Sequence, residues 1–413
     1  MKRSGDGLLC PRFRVLLAAT LLVLAGCGPD EPVHIRVNVV GYLEEDSKVA
    51  VAFSHEAIDD AFEVVDAETG EVVASGRATP SSAPGWGAFD HYADFDFSEV
   101  NRPGRYFIRS DEDRSAEFGI GRDAYGSVQE DLLAFMRQQR CGYNPFLDMY
   151  CHQKDARTFY GPMPDSTLID ATGGWHDAGD QLKYLITGSN ATARMMLAYE
   201  LATDRFGDAH DAMGRPGSNG LADVLDEAKW GLDWMHRLHP ASGQLFHQVA
   251  DDRDHIGWKW PDEDSSDYGW GPMSYRAVYF ANGEPQGLRE YKSTSTGVAN
   301  LAGRYAAGMA MAHRIWRDRD PVFASKSLAA AKDVYAMGRA KEGYQQGNSY
   351  GAPYRYTEDT WADDMEWGAA ELYALTGEER YLTDAKRYAR MASTVSWLPH
   401  DTTDHYQYYP FVN

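Results

Sequence analysis

The feature that most narrows the fold of this chain is a change of hydrophobic period at about residue 123. From His34 to about Gly121, apolar residues alternate with polar ones: Ile35, Val37 and Val39, then Val49, Val51 and Phe53. A period of two sets one side of an extended strand against a core and the other toward water. Turn signals such as AspAlaGluThrGly and ArgProGly separate short runs like PheGluValValAsp and ArgTyrPheIleArgSer. Short strands at a spacing of roughly ten residues predict an immunoglobulin-like β-sandwich over residues 34–122.

Beyond residue 123 the step becomes three and four. Leu221, Leu225, Ala228, Leu232 and Met235 line one helix face, and Val298, Leu301, Tyr305, Met309, Ala312 and Trp316 line another. Further helices are predicted to begin near Tyr125, Thr187, Pro321, Thr360 and Glu379. Gly377 closes the helix after Thr360, and Pro399 closes the next. Amphipathic helices joined by long, aromatic, glycine-rich loops predict an all-α domain over residues 123–413 that keeps its chemistry in loops.

Residues 1–27 read as a targeting signal. Lys2, Arg3, Arg12 and Arg14 flank and precede the apolar run ValLeuLeuAlaAlaThrLeuLeuValLeuAlaGly, which is too short to span and stop in a membrane. The run ends at LeuAlaGlyCys, which resembles the lipobox of bacterial lipoproteins, where Cys27 would be the acylated residue; an ordinary signal peptide with an incidental cysteine is the alternative. Residues 28–33 form a tether. On this reading the protein is secreted across the inner membrane and lipid-anchored in the cell envelope, meeting the membrane through its anchor alone. A net charge of −22 argues against nucleic acid or an anionic membrane surface as partner and suits a neutral substrate.

The densest chemistry lies in GlyGlyTrpHisAspAlaGlyAsp, residues 173–180. Asp177 and Asp180, on a turn that glycine permits, can converge on one water or metal ion. Inverting hydrolysis of a glycosidic bond needs a carboxylate base and a protonated acid roughly 6.5–9.5 Å apart. A neighbouring carboxylate raises its partner's pKa, and Trp175 offers a flat face on which a sugar ring can stack. An Asx-turn or a helix cap would use the same residues with no chemistry.

Cys141, Cys151, His152 and His176 make a full tetrahedral ligand set for structural zinc, whereas spacing alone favours a Cys141–Cys151 disulfide in an oxidising compartment. Asp226 and Glu227, with Asp254 as a further ligand, offer hard oxygens to calcium; acids placed for the helix dipole would look alike. Trp258, Trp260, Tyr268, Trp270 and Tyr275 suit sugar platforms and a packed loop equally. His405, Tyr406, Tyr408 and Tyr409 fit the same cleft.

The GlyGlyTrpHisAspAlaGlyAsp turn closely resembles the signature of glycoside hydrolase family 9, which includes many cellulases. IleArgValAsnValValGlyTyrLeu resembles the opening of the immunoglobulin-like module that precedes many bacterial catalytic domains of this family. Residues 219–235, 292–310 and 361–377 resemble its later helices, in family order. The resemblance implies an (α/α)6 barrel with an open cleft and inverting hydrolysis of β-1,4-glucan, of the cellulase or endoglucanase type. Asp180 would be the base, Asp177 would position the water, and Trp175, Trp258, Trp260 and Tyr406 would bind sugar. Some bacterial members carry a Cys/Cys/His/His zinc site whose last histidine directly precedes the first aspartate, which assigns zinc to the four residues above. Members often bind calcium with an AspGlu pair like Asp226–Glu227.

Two departures stand out: Gln181 occupies a position where many members carry His or Tyr, and Val39 replaces a usual Gln. The family's general acid, a glutamate late in the domain after a His/Arg stretch, is not found before Asn413; Asp364 and Glu366 sit in a predicted helix. The expectation is therefore a monomer made of an immunoglobulin-like β-sandwich and an incomplete all-α (α/α)6 barrel. Its partner would be a β-linked glucan polysaccharide or oligosaccharide, with no organic cofactor. A catalytically inactive glycan-binding surface lipoprotein is the competing expectation.

Overall fold

The computed structural model describes residues 32–80 and 87–395, so Cys27 and the aromatic run at Tyr406 lie outside the described residues. The chain divides into two compact units, Met1–Gly126 and Ser127–Asn413.

The first unit carries strands β1 (His34–Arg36), β2 (Val49–Ser54), β3 (Ala61–Asp66), β4 (Val72–Arg77), β5 (Thr79–Pro80), β6 (His91–Asp96), β7 (Gly104–Ser110), β8 (Asp113–Arg114) and β9 (Phe118–Ile120). One sheet runs β1-β2-β6-β5 and the other β4-β3-β7-β8, with β9 also on β7. Their inner faces meet in one core, where Phe62 of one sheet stacks on Phe95 of the other at 4.8 Å. Strand β2 reverses the expected face. Val49 and Val51 are exposed, and Ala50 and Ala52 are buried. Both phases of ValAlaValAla are apolar, so period alone cannot choose; the stacked phenylalanines leave room inside for the smaller side chains.

The second unit holds α1 (Val128–Gln138), α2 (Leu185–Leu201), α3 (Asp223–Leu238), α4 (Ala299–Trp316), α5 (Pro321–Ala340), α6 (Ala362–Thr376) and α7 (Glu379–Val395). Each begins close to its expected position, and Gly377 is the left-handed cap of α6. Residues Ala299–Ala312 of α4 are buried on every side, and more than half of them are Ala or Gly. Small residues let backbones approach: a Cβ on Gly303 would lie 2.2 Å from the Asp364 backbone of α6.

The all-α expectation for this unit is corrected by two small sheets in its loops. β10 (Tyr143–Asn144) pairs with β11 (Met149–Tyr150). The second sheet has the order β12 (Arg157–Phe159), β15 (Ala277–Phe280), β14 (Phe246–Val249), β13 (Lys183–Tyr184), with β12 and β15 parallel. Strands of two to four residues are too short to show a period. They matter because β13 directly follows the GlyGlyTrpHisAspAlaGlyAsp turn and pairs with β14, which fixes that turn against the loop after residue 249.

Candidate active site

The turn is shaped by glycine. Gly173 and Gly174 take φ of +90° and +74°, and a Cβ on Gly174 would meet the Trp234 ring at 2.6 Å. Trp175 then points into the core: it is 7% exposed and its Nε1 donates to Glu227 Oε1 at 2.7 Å. Its assignment as a sugar platform is corrected; it is a wall of the fold.

Asp177 is held from both sides. Thr187 Oγ1 donates to its Oδ1 at 3.1 Å and the Tyr356 hydroxyl donates to Oδ2 at 2.7 Å. Burial pushes its pKa up to about 6 against those two hydrogen bonds, and the charge of Asp180 adds to the rise. Asp180 accepts from the Leu182 amide at 3.2 Å through Oδ1, and its Oδ2 lies 2.8 Å from His255 Nε2. The His255 ring is backed by Tyr354, with centroids 4.6 Å apart. Asp180 lines a cavity of about 290 Å³ with Gly179, His255, Trp258 and Tyr354. Two carboxylates on one turn, one sequestered and one facing a cavity, can share a water and take its proton.

Thr187, His255, Tyr354 and Tyr356 were not legible as site residues. His255 carried one signal, a polar AspAspArgAspHis run three residues before Trp258; the tyrosines carried none. The aromatic cluster divides. Trp258 and Trp260 are 88% and 63% exposed, whereas Tyr268 is buried and its hydroxyl accepts from the Asp251 amide. Trp270 packs on the core and Tyr275 lies under Arg157.

Below the turn, ligand atoms of Cys141, Cys151, His152 and His176 all lie within 4.8 Å of one another, and both cysteines are free. His176 Nε2 is 3.8 Å from Cys151 Sγ. His152 Nε2 is 3.0 Å from Asp264 Oδ2, while its buried Nδ1 has no hydrogen-bond partner. A carboxylate on one imidazole nitrogen with the other aimed into a thiol cluster is how metal-ligating histidines are fixed. Burial opposes ionising Cys141, but the Cys151 hydrogen bond and the Lys183 ammonium, 3.3 Å away, hold its thiol well below the usual range. These residues fit zinc. Around them runs a buried ionic ladder: Lys259 bridges Asp264 and Asp254, and Arg276 grips Asp155 with two nitrogens at 2.9 and 2.7 Å and reaches Asp254.

The calcium assignment is corrected. Glu227 is fully buried and spends both oxygens on Arg140, at 3.1 and 2.7 Å, as well as on Trp175. Asp226 accepts from Asn219 instead, and Asp254 belongs to the Lys259–Arg276 ladder. Glu227 and Asp254 are already matched by cations, and one oxygen of Asp226 already has a donor.

Comparison with known proteins agrees with the turn. The family model described as "Glycosyl hydrolase family 9" matches residues 125–409, and that of the "Cellulase N-terminal ig-like domain" matches residues 30–115. Endoglucanase C of Cellulomonas fimi is 28% identical over 391 residues, covering 87% of this chain and 33% of that protein. The chain spans between a third and about half of the length of the first curated relatives it matches. A metagenome-derived endoglucanase of glycoside hydrolase family 9 superposes with a TM-score of 0.67 at 29% identity, over 87% of this chain and 64% of that one. A Zn-binding triple mutant of the endoglucanase J30 superposes at 0.65 with 28% identity, over 84% and 62%.

Proposed function

The chain belongs to glycosyl hydrolase family 9, and from that premise we propose that it hydrolyses β-1,4-glucan with inversion. The observation that carries this reading is the division of labour between the two aspartates. Asp177 has both oxygens bound to hydroxyl groups and a pKa raised to about 6. Asp180 has an oxygen steered by His255 and lines the sugar-sized cavity. In this reading Asp180 takes a proton from a water whose oxygen attacks the anomeric carbon as the bond to the leaving oxygen breaks, Asp177 holds the water's second hydrogen, and a separate acid, neither of these aspartates, gives the leaving oxygen its proton. Trp258 supplies the apolar face for the ring.

Zinc is read as the structural partner of Cys141, Cys151, His152 and His176. When bound it would neutralise the thiolates and close the fold beneath the turn. His176 is the backbone neighbour of Asp177, so its ligation limits the play of the aspartate. The seven helices described are read as part of the family's (α/α)6 barrel.

An aryl β-cellobioside with a dinitrophenolate leaving group tests the base directly, because so weak a base departs without protonation by an acid. The full chain should release the phenolate, and Asp180→Asn should abolish release; unchanged turnover in that variant refutes the base assignment. Sugar binding with no turnover by the parent would favour the binding-protein reading. Metal analysis with thiol titration should find one zinc per chain and both thiols shielded until chelator is added. No zinc and no titratable thiol would mean a disulfide instead.

A further inference from the structure

The run AspAspArgAsp at 251–254 crowds three carboxylates together just ahead of His255, which steers Asp180. Like charges so close repel one another unless each finds its own partner. Strand β14 ends at Val249, and Asp252–Asp254 then form a short 3-10 turn. Asp251 is buried; it caps that turn by accepting from the Arg253 amide at 3.0 Å, and it takes the Arg253 guanidinium at 2.9 and 2.6 Å. Asp254 belongs to the Lys259–Arg276 ladder. Both ends of the turn are therefore fixed.

Asp252, between them, is used differently. Its carboxylate reaches across to residues 341–361, a segment with no helix or strand between α5 and α6. There it accepts two consecutive backbone amides: Tyr350 donates to Oδ1, and Gly351 donates to Oδ2 at 2.6 Å. Hydrogen bonds to an ionised acceptor are roughly twice as strong as neutral ones. Arg253 adds its guanidinium over the Tyr350 ring, 4.1 Å from the centroid.

The residues just beyond this anchor are the ones the site uses. Tyr354 backs the His255 ring at 4.6 Å, and the Tyr356 hydroxyl donates to Asp177 Oδ2 at 2.7 Å. Arg355, between them, bonds Ser349 and the backbone at Tyr291 and Lys292, away from the His255 turn. One carboxylate thus ties the turn that carries His255 to the irregular segment that carries both tyrosines. Asp252 does not line the cavity of Asp180.

We propose that Asp252 is a positioning residue for the reaction. Its two amide bonds set where Tyr354 and Tyr356 stand, and through them keep His255 on Asp180 and a hydroxyl on Asp177. It acts through the backbone of the facing segment, from outside the cavity. The inference rests on the glycosidase reading above.

Turnover of the dinitrophenyl β-cellobioside by the full chain tests it, in Asp252→Ala, Asp252→Asn, Tyr356→Phe and the Asp252→Ala/Tyr356→Phe double variant. Asp252 is only partly buried, so its truncation leaves the core in place. Asn keeps the shape but turns one acceptor into a donor facing an N–H, so it loses a bond without leaving a hole. Misplacing catalytic groups by about 1 Å costs up to about 100-fold, so Asp252→Ala should lower kcat by about tenfold, and Asp252→Asn should lower it too. The double variant should lose less than the product of the two single losses, because both substitutions act on the same hydroxyl. Parental kcat in both Asp252 variants, or losses that multiply in the double variant, overturns the positioning role while leaving the glycosidase reading in place. If the parent releases no phenolate, the glycosidase reading fails and the positioning role falls with it.

Discussion

Replacing Asp177 by Asn should stabilise the protein, and only above a definable pH. Burial lifts this carboxyl from 3.8 to about 6, so the folded chain keeps its proton to a higher pH than the unfolded chain does. Between about pH 4 and pH 6, unfolding therefore releases a proton, and stability falls as pH rises. A shift of about two pH units corresponds to about 3 kcal/mol, lost in full above the folded pKa and absent below about pH 4. Asn resembles the protonated acid and does not titrate, and the hydroxyls of Thr187 and Tyr356 can each donate or accept toward it. Urea unfolding of parent and variant at a series of pH values from about 4 to 7.5 measures the difference. It should open from a constant offset at low pH by up to about 3 kcal/mol at neutral pH. A difference that stays flat across that range would refute the argument that burial strains Asp177. Tyr356→Phe removes a hydrogen bond that lowers this pKa, so it should move the window to higher pH; an unmoved or lowered window would contradict that role.

Two further substitutions probe the surroundings. A methyl at Gly179 would lie 1.5 Å from a ring carbon of Trp258, so Gly179→Ala should displace that ring and weaken oligosaccharide binding. Because Trp258 is 88% exposed, the melting temperature should change little; parent-like affinity would mean the ring is not a platform. Glu227→Ala strands the buried Arg140 guanidinium and should cost about 3–5 kcal/mol, measured by urea unfolding. Added calcium should leave the urea midpoint of the parent unchanged, and a calcium-dependent rise would reinstate the corrected site.

The change of period at residue 123 foretold the two units and the helix starts, because buried helix faces repeat over four or five turns and leave a long signal. Strand β2 failed where both phases were apolar, and β10–β15 were too short to register. At the site, the sequence pointed to Asp177 and Asp180 and to two thiols and two imidazoles that the structure gathers within 4.8 Å, because their residue types are chemically rare in combination. It misplaced Trp175, whose ring is equally fit for sugar or core; only the buried Glu227 beside its Nε1 decides. It misplaced Glu227 for the same reason, since a carboxylate does not announce whether its counter-charge is a metal or an arginine. Tyr356 lies 179 residues from Asp177, and no local pattern joins them.

The parallel pairing of β12 with β15 sets an order of events on the ribosome. Asp155 is buried and its guanidinium partner Arg276 is 121 residues later in the chain. At a synthesis rate of about 5–20 residues per second, the carboxylate waits roughly 6–24 s before that partner exists. Until then Asp155 has only Lys183 as a buried countercharge, at 2.8 Å in the folded protein, and β12 lacks its partner strand. Both cysteines have emerged before that interval begins and are free in the folded protein, so a metal and an oxidant present then would compete for the same two thiols.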